Sequence, residues 1–185
     1  MKVALNKNAL KQERDKLAMY RRFLPSLDLK RRQLVGAWRQ AQQEMRDVAA
    51  EIANFNVSMA DLLSLLGSST VATRDLSRLV RTKEVLIGTE NVVGVRLPRL
   101  DSMRFERAEY STLTIPFWVD QVVDRLEDAC RLKITKQIAL RREELLETAT
   151  RRVTQRVNLF EKVLIPGASE NIKRIRVALS DQDRA

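Results

Sequence analysis

The chain has 185 residues, with 34 Lys or Arg, 24 Asp or Glu and no His, which gives a formal net charge of +10. Without histidine there is no imidazole base and no Cys/His zinc cluster, and the single cysteine, Cys130, forms neither an internal disulfide nor a thiolate cage. Only 5 Gly and 4 Pro are available for turns, and aromatic residues make up 5%. This composition argues against a redox or metal enzyme and favours long helices.

The first predicted element is a long helix from Leu10 to Leu66. A seven-residue repeat, with a second position three residues after the first, gives 17 positions, of which 15 are apolar or aromatic. The exceptions are Glu13 and Arg31. Such a repeat does not fit a strand and is typical of a coiled coil. Pro25 lies within it and predicts a kink or local break near Arg21 to Leu24.

The middle of the chain, from Gly67 to Ser111, has a different pattern. Weak helical spacing predicts a short helix between Val71 and Lys83. The β-branched runs Val85 to Ile87 and Val92 to Leu97 flank a Gly-Thr-Glu-Asn segment. We therefore expect a β-hairpin over about residues 84–98, with its turn in that segment and its end at Pro98.

A second long helix is predicted to begin after Thr112 or Thr114. Most of its apolar residues are three or four positions apart as far as Leu164, after which Pro166-Gly167 interrupts the pattern before it resumes. Two helices of similar length that are joined by a short middle segment bury both of their apolar stripes most simply by packing as an antiparallel pair. The predicted fold class is all-α, a long antiparallel two-helix coiled-coil hairpin with a small middle region containing a short β-hairpin. The predicted segments are residues 1–66, 67–112 and 113–185.

No residue combination in the sequence predicts catalysis. Gly88 and Gly94 bracket a short segment, but no Lys-Ser or Lys-Thr follows, so the phosphate-binding P-loop pattern is absent. Cys130 lies on the apolar stripe and is interpreted as a small core residue. Three carboxylates are either an acid/base pair or part of a solvated, salt-bridged helix face, and the helix face is favoured because they lie among arginines at helical i, i+4-type spacings. These arginines are Arg141, Arg142, Arg151 and Arg152. The carboxylates are Glu143, Glu144 and Glu147. We predict no catalytic residue, cofactor or metal.

The positive charge is concentrated near one end of the sequence. Residues 1–40 carry 11 basic and 3 acidic side chains, a net charge of +8. This segment suits either phosphate neutralisation on a nucleic acid or docking into an acidic protein cavity. No recognition helix or zipper with a basic region accompanies it, which disfavours nucleic acid.

Two segments in the last third of the chain have a specific pattern: residues 156–166 read R-V-N-x-x-E-x-V-x-I-P and residues 172–175 read I-K-x-I. These segments resemble the D subunit of the V-type/A-type rotary ATPases. The N-terminal NKNALKQERDKL and LKRRQL and the GVRLP of residues 94–98 are similar to the family's first helix and hairpin strand. The matching positions of the two C-terminal segments are Arg156, Val157, Asn158, Glu161, Val163, Ile165, Pro166, Ile172, Lys173 and Ile175.

The resemblance implies the central rotor shaft of an ATPase or ATP synthase, without nucleotide chemistry of its own. Both chain ends are expected inside the hexamer of catalytic A and B subunits, with the middle region near the F subunit and the subunit that connects to the membrane ring. The longest apolar runs are only a few residues and the N-terminal segment lacks the apolar run of a secretory signal, so we expect a cytoplasmic protein with no direct membrane insertion. The resemblance implies a protein that is peripheral to the membrane as part of the ATPase complex and that binds no nucleotide itself, and no nucleic acid binding is expected.

The resemblance also implies two contact sets. The residues expected to face the hexamer are Lys7, Lys11, Arg14, Arg21, Arg22, Arg156, Asn158, Glu161, Ile165 and Lys173. The residues expected to contact the F subunit or other rotor parts are Val85, Ile87, Val92, Val93, Val95 and Leu97. The alternatives are a coiled-coil nucleic-acid-binding protein and the stalk of a type III secretion ATPase, although a secretion stalk is not expected to carry the Ile-Pro and hairpin segments.

Overall fold

The computed structural model describes residues 4–67, 79–108 and 119–182, most of which are helical. The chain divides into two compact units: unit 1 comprises Met1–Gly36 and Glu147–Ala185, and unit 2 comprises Ala37–Leu146. In chain order the elements are helix α1 (Lys7–Gly67), strands β1 (Val80–Val92) and β2 (Val95–Arg107), helix α2 (Val119–Leu159), a π-helical turn (Phe160–Leu164) and helix α3 (Ile165–Gln182). The prediction that the chain is mostly helical and contains a β-hairpin is confirmed.

Helix α1 buries the stripe that the heptad pattern predicts. Its first turn is capped by Asn6, whose Oδ1 accepts a hydrogen bond from the Ala9 amide at 2.7 Å. Every stripe position from Leu10 to Met59 is buried or half-buried, and Leu34 is fully enclosed. Burial of apolar area along one face is the main source of stability for such a helix.

Pro25 does not interrupt α1, which is continuous from Lys7 to Gly67. The proline removes one amide donor, yet Leu24 and Leu27 on either side keep their half-buried stripe positions. Of the predicted kink or local break near Arg21 to Leu24, the break does not occur, because packing of the stripe outweighs the loss of a single backbone hydrogen bond, and the kink stays a prediction.

Within unit 1, the start of α1 contacts the C-terminal segment at two described points. Glu13 accepts a hydrogen bond from Asn171 at 3.2 Å, and the rings of Tyr20 and Phe160 meet edge to face with centroids 5.4 Å apart. Glu13 comes before Tyr20 in α1, whereas its partner Asn171 comes after Phe160 in the C-terminal segment. This reversed order is that of an antiparallel pair. The core of the unit includes fully buried Leu34, Val157 and Ile175.

The hairpin of unit 2 is longer than predicted and turns at a different place. Val92 pairs with Val95 across a two-residue turn, and both turn residues have positive φ, 53° at Val93 and 81° at Gly94. The Asn91 side chain accepts a hydrogen bond from the Gly94 amide at 2.8 Å. The turn predicted at Gly-Thr-Glu-Asn is wrong because Gly94 supplies the left-handed conformation that a tight hairpin requires.

The short helix predicted over Val71 to Lys83 falls partly on strand. Residues 71–78 lie outside the described part of the chain, as does the predicted start of the second helix. Val80 to Lys83 belong to β1, where Val80 pairs with Arg107, so the helix prediction is wrong for these four residues. Long-range pairing with β2 overrides their weak helical pattern.

The base of the hairpin packs on the start of α2. Val119, Val122 and Val123 form a buried cluster, against which Leu79 and Val80 pack. Beyond Val119, the apolar positions predicted for the second helix are all buried or half-buried as far as Leu164. The predicted apolar positions of α2 are therefore buried or half-buried both in unit 2, up to Leu146, and in unit 1, from Glu147 onwards.

Candidate functional site

Unit 1 carries essentially all the excess charge of the described residues. Its described residues, 4–36 and 147–182, hold 16 basic and 7 acidic side chains, a net charge of +9. The described residues of unit 2 hold 14 of each. A strongly basic surface of this kind selects an acidic partner and accelerates the encounter with it.

The basic residues predicted to face the hexamer are all exposed and lie in unit 1. Five other cations of this unit are used in ion pairs within one helix, for example Lys16 with Glu13 at 2.8 Å and Arg174 with Glu170 at 2.7 Å. The predicted set has no ion-pair partner among the described residues and is therefore available to a partner surface. It consists of Lys7, Lys11, Arg14, Arg21, Arg22, Arg156 and Lys173.

The remaining predicted hexamer contacts surround the π-helical turn. Asn158 and Glu161 are exposed and Ile165 is half-buried. Phe160, at the start of the turn, packs against Tyr20 of α1. Residues from both ends of the sequence thus belong to one compact unit.

Pro166 explains the geometry of the π-helical turn. The Ile165 amide donates to the carbonyl of Phe160, five residues back, where an α-helix would have it donate to Glu161. Residue 166 has no amide hydrogen to donate in its place. The backbone carbonyl of Glu161 therefore loses its helical donor, and the helix continues through the predicted interruption at Pro166-Gly167.

The hairpin residues predicted to contact the F subunit or other rotor parts differ in exposure. Ile87 is 56% exposed and the neighbouring Leu86 is 47% exposed. Leu97, in contrast, is 1% exposed and is buried within unit 2. The other four residues are half-buried. They are Val85, Val92, Val93 and Val95. Ile87 is thus the best placed of the set for a partner, and Leu97 serves the internal core.

Two arginines attach the hairpin to α2, and the sequence pattern did not single them out. Arg107 on β2 donates to Glu127 at 2.6 Å and to Asp124 at 2.8 Å. The hydrogen bond to Glu127, and to a smaller extent the one to Asp124, raises the pKa of the Arg107 guanidinium. The attachment at the base of the hairpin is therefore made by a permanently charged group.

Arg142 makes the second attachment, near the hairpin turn. Its side chain, 18% exposed, donates to Glu90 of β1 at 2.5 Å and to the carbonyl of Pro98 at 3.1 Å, and it pairs with Glu44 of α1 at 3.4 Å. Sequence reasoning placed Arg142 on a solvated helix face. Its partners lie 44 to 98 positions away, so helical spacing carries no signal for them.

The carboxylates considered for acid/base chemistry belong to a salt-bridged helix surface. Glu144 pairs with Arg141 at 3.0 Å and Glu147 with Arg151 at 3.6 Å, while Glu143 is half-buried. Cys130 is a half-buried free thiol. Across the described ranges, no group of three or more acidic or cysteine side chains is arranged to hold a metal, and no described helix is long and apolar enough to span a bilayer.

Comparison with known proteins gives the family. Residues 9–185 match the family model described as the ATP synthase D subunit. The chain is 32% identical over 184 residues to the D subunit of V-type ATP synthase from Borreliella burgdorferi, covering 100% of this chain and 89% of that protein. It is 34% identical over 186 residues to the protein of the same name from Chlamydia muridarum, with 97% and 88% covered. The chain belongs to the ATP synthase D subunit family.

Proposed function

We propose that this chain is the central rotor shaft of a V/A-type ATPase or ATP synthase. It transmits torque between a hexamer of catalytic A and B subunits and the ion-translocating ring in the membrane. Membership of the D subunit family supports this role over a nucleic-acid-binding coiled coil or a secretion stalk. In this role the chain is non-catalytic, cytoplasmic and peripheral to the membrane.

The observation that carries the proposal is the set of exposed, unpaired cations among the described residues of unit 1. They come from both ends of the sequence, and the contacts from Glu13 to Asn171 and from Tyr20 to Phe160 hold those ends together. We infer that α1 and the C-terminal helices continue this arrangement as an antiparallel coiled-coil hairpin. A basic shaft of this kind fits an acidic-lined opening in the hexamer, where charge complementarity guides insertion.

Charge reversal tests the proposal in the reconstituted complex. The variant Lys7→Glu/Lys11→Glu/Arg14→Glu is expected to reduce assembly, or to reduce ion pumping per ATP hydrolysed. The matched control reverses three exposed cations of unit 2, Arg131→Glu/Lys133→Glu/Lys136→Glu, and is expected to keep assembly with the catalytic subunits. Unchanged assembly and coupling in the first variant would contradict the proposed contact between the basic residues of α1 and the hexamer.

The hairpin is proposed to contact the F subunit or other rotor parts through its outer side. Leu86 and Ile87 carry this part of the proposal because they are adjacent and exposed apolar residues. The variant Ile87→Asp is expected to weaken co-purification with the F subunit. Leu140→Asp, at an exposed apolar position of α2, is the control. Equal retention of the F subunit by both variants counts against the contact.

A further inference from the structure

The π-helical turn creates an acceptor site on the surface of unit 1. The Glu161 carbonyl has lost the amide of Ile165 to Phe160, and Pro166 offers no replacement. The Lys162 carbonyl loses the amide that residue 166 would supply in an α-helix. The side chains of both residues are exposed. A backbone oxygen without a helical donor, next to solvent, is ready to accept a hydrogen bond from another molecule.

A carboxylate lies beside these carbonyls. Among the described residues Glu161 has no ion-pair partner, whereas Glu13, Glu147 and Glu170 of the same unit are each paired with a cation on their own helix. Exposed Leu159 and Val163 flank the site. The turn therefore offers oxygen acceptors, the unpaired carboxylate of Glu161 beside the exposed ammonium of Lys162, and an apolar border within one short stretch.

We propose that the π-helical turn binds a cationic side chain, an arginine or lysine, of the catalytic hexamer. This inference rests on the proposed function and names a specific contact within it. A guanidinium or ammonium group carries only donors, so a carboxylate and an open carbonyl match its chemistry. Because unit 1 as a whole carries a strong net positive charge, an unpaired carboxylate on it is a place where a cation in an otherwise acidic partner surface is attracted. The contact then fixes the position of the shaft within the hexamer.

Pro166→Ala separates this role from a structural one. The substitution restores an amide donor and removes the clash that favours the π-helical turn, so it is expected to raise the melting temperature of the free chain. It is also expected to weaken binding of the full chain to the A and B hexamer by about tenfold, since the open carbonyl is lost. A stabilising substitution that weakens assembly is not expected from a purely structural proline.

Two further variants complete the test. Pro25→Ala, at the other proline within a described helix, is the matched control: it is expected to raise the melting temperature without weakening binding, because α1 has no π-helical turn there. Glu161→Gln removes the charge without touching Pro166 and is expected to weaken binding, with an effect that shrinks at high salt.

The outcomes distinguish the inference from the function on which it rests. If the wild-type chain does not bind the hexamer, the proposed function fails. If the wild type binds and neither Pro166→Ala nor Glu161→Gln weakens binding relative to Pro25→Ala, the inference about the turn is overturned and the rotor role stands.

Discussion

Arg142 on α2 and Glu90 on β1 are joined by a 2.5 Å hydrogen bond, although 52 positions separate them in the sequence. The same guanidinium reaches the Pro98 carbonyl on β2 and Glu44 on α1. One side chain thus links both strands of the hairpin to both helices of unit 2. The planar donor geometry of arginine is suited to such a branching contact, and a lysine would not reproduce it.

Arg142→Ala is expected to destabilise the chain by about 1–3 kcal/mol, because it leaves two carboxylates and a carbonyl without their shared donor. Urea unfolding measures the loss, and limited proteolysis reports whether the hairpin is released. Arg141→Ala is the control, since Arg141 is exposed and pairs with Glu144 on its own helix, and a cost below about 0.5 kcal/mol is expected. Equal effects of the two substitutions would contradict the role assigned to Arg142.

Acidification is expected to remove a contribution from Glu13. Hydrogen bonding to Lys16, aided by Asn171 and opposed by burial, lowers the pKa of this carboxyl from its ordinary value. A lowered folded-state pKa contributes stability above the unfolded pKa, and that stability disappears as the pH falls through the folded value. The stability difference between wild type and Glu13→Gln is therefore expected to shrink between about pH 5 and pH 3. A difference that stays constant over this range would contradict the prediction.

The same substitution at two glycines is expected to have opposite effects. Gly94→Ala places a side chain at a φ of 81° and is expected to destabilise the hairpin by about 1–2 kcal/mol. Gly36→Ala lies inside α1, where an added Cβ meets no atom within 4 Å apart from its chain neighbours and the adjacent helix backbone, and is expected to stabilise by about 0.5–1 kcal/mol. Thermal unfolding of both variants checks the pair. Two shifts of the same sign would be inconsistent with the observed turn or with the helical placement of Gly36.

Leucine positions of α1 are expected to differ sharply in their importance. Leu34 is 0% exposed, so Leu34→Ala removes buried methyl groups and is expected to cost about 2–5 kcal/mol. Leu29 is 58% exposed, and Leu29→Ala is expected to change stability by less than about 0.5 kcal/mol. Chemical denaturation of the two variants measures the contrast. A large loss at Leu29 would show that the stripe has been assigned to the wrong face.

The sequence predicts the stripe of α1 well because burial follows its seven-residue period. Even the exception at Glu13 is informative: it is buried at a stripe position because Lys16 and Asn171 satisfy its carboxylate. The hairpin was predicted, but its turn was not, since Val93 is an unfavourable residue for positive φ and the choice depends on Gly94. The attachment by Arg142 has no local pattern at all.

The two attachments of the hairpin have a mechanical consequence. Asp124 and Arg142 are separated by 18 residues of α2, roughly 27 Å at about 1.5 Å per residue. Pro98 and Arg107 are separated by nine residues of β2, roughly 30 Å at about 3.3 Å per residue. The strand therefore runs alongside the helix between two clamps rather than hanging from one. A sideways force on β2 is shared by the Arg107 and Arg142 attachments, so the strand resists pivoting and transmits a torque to α2.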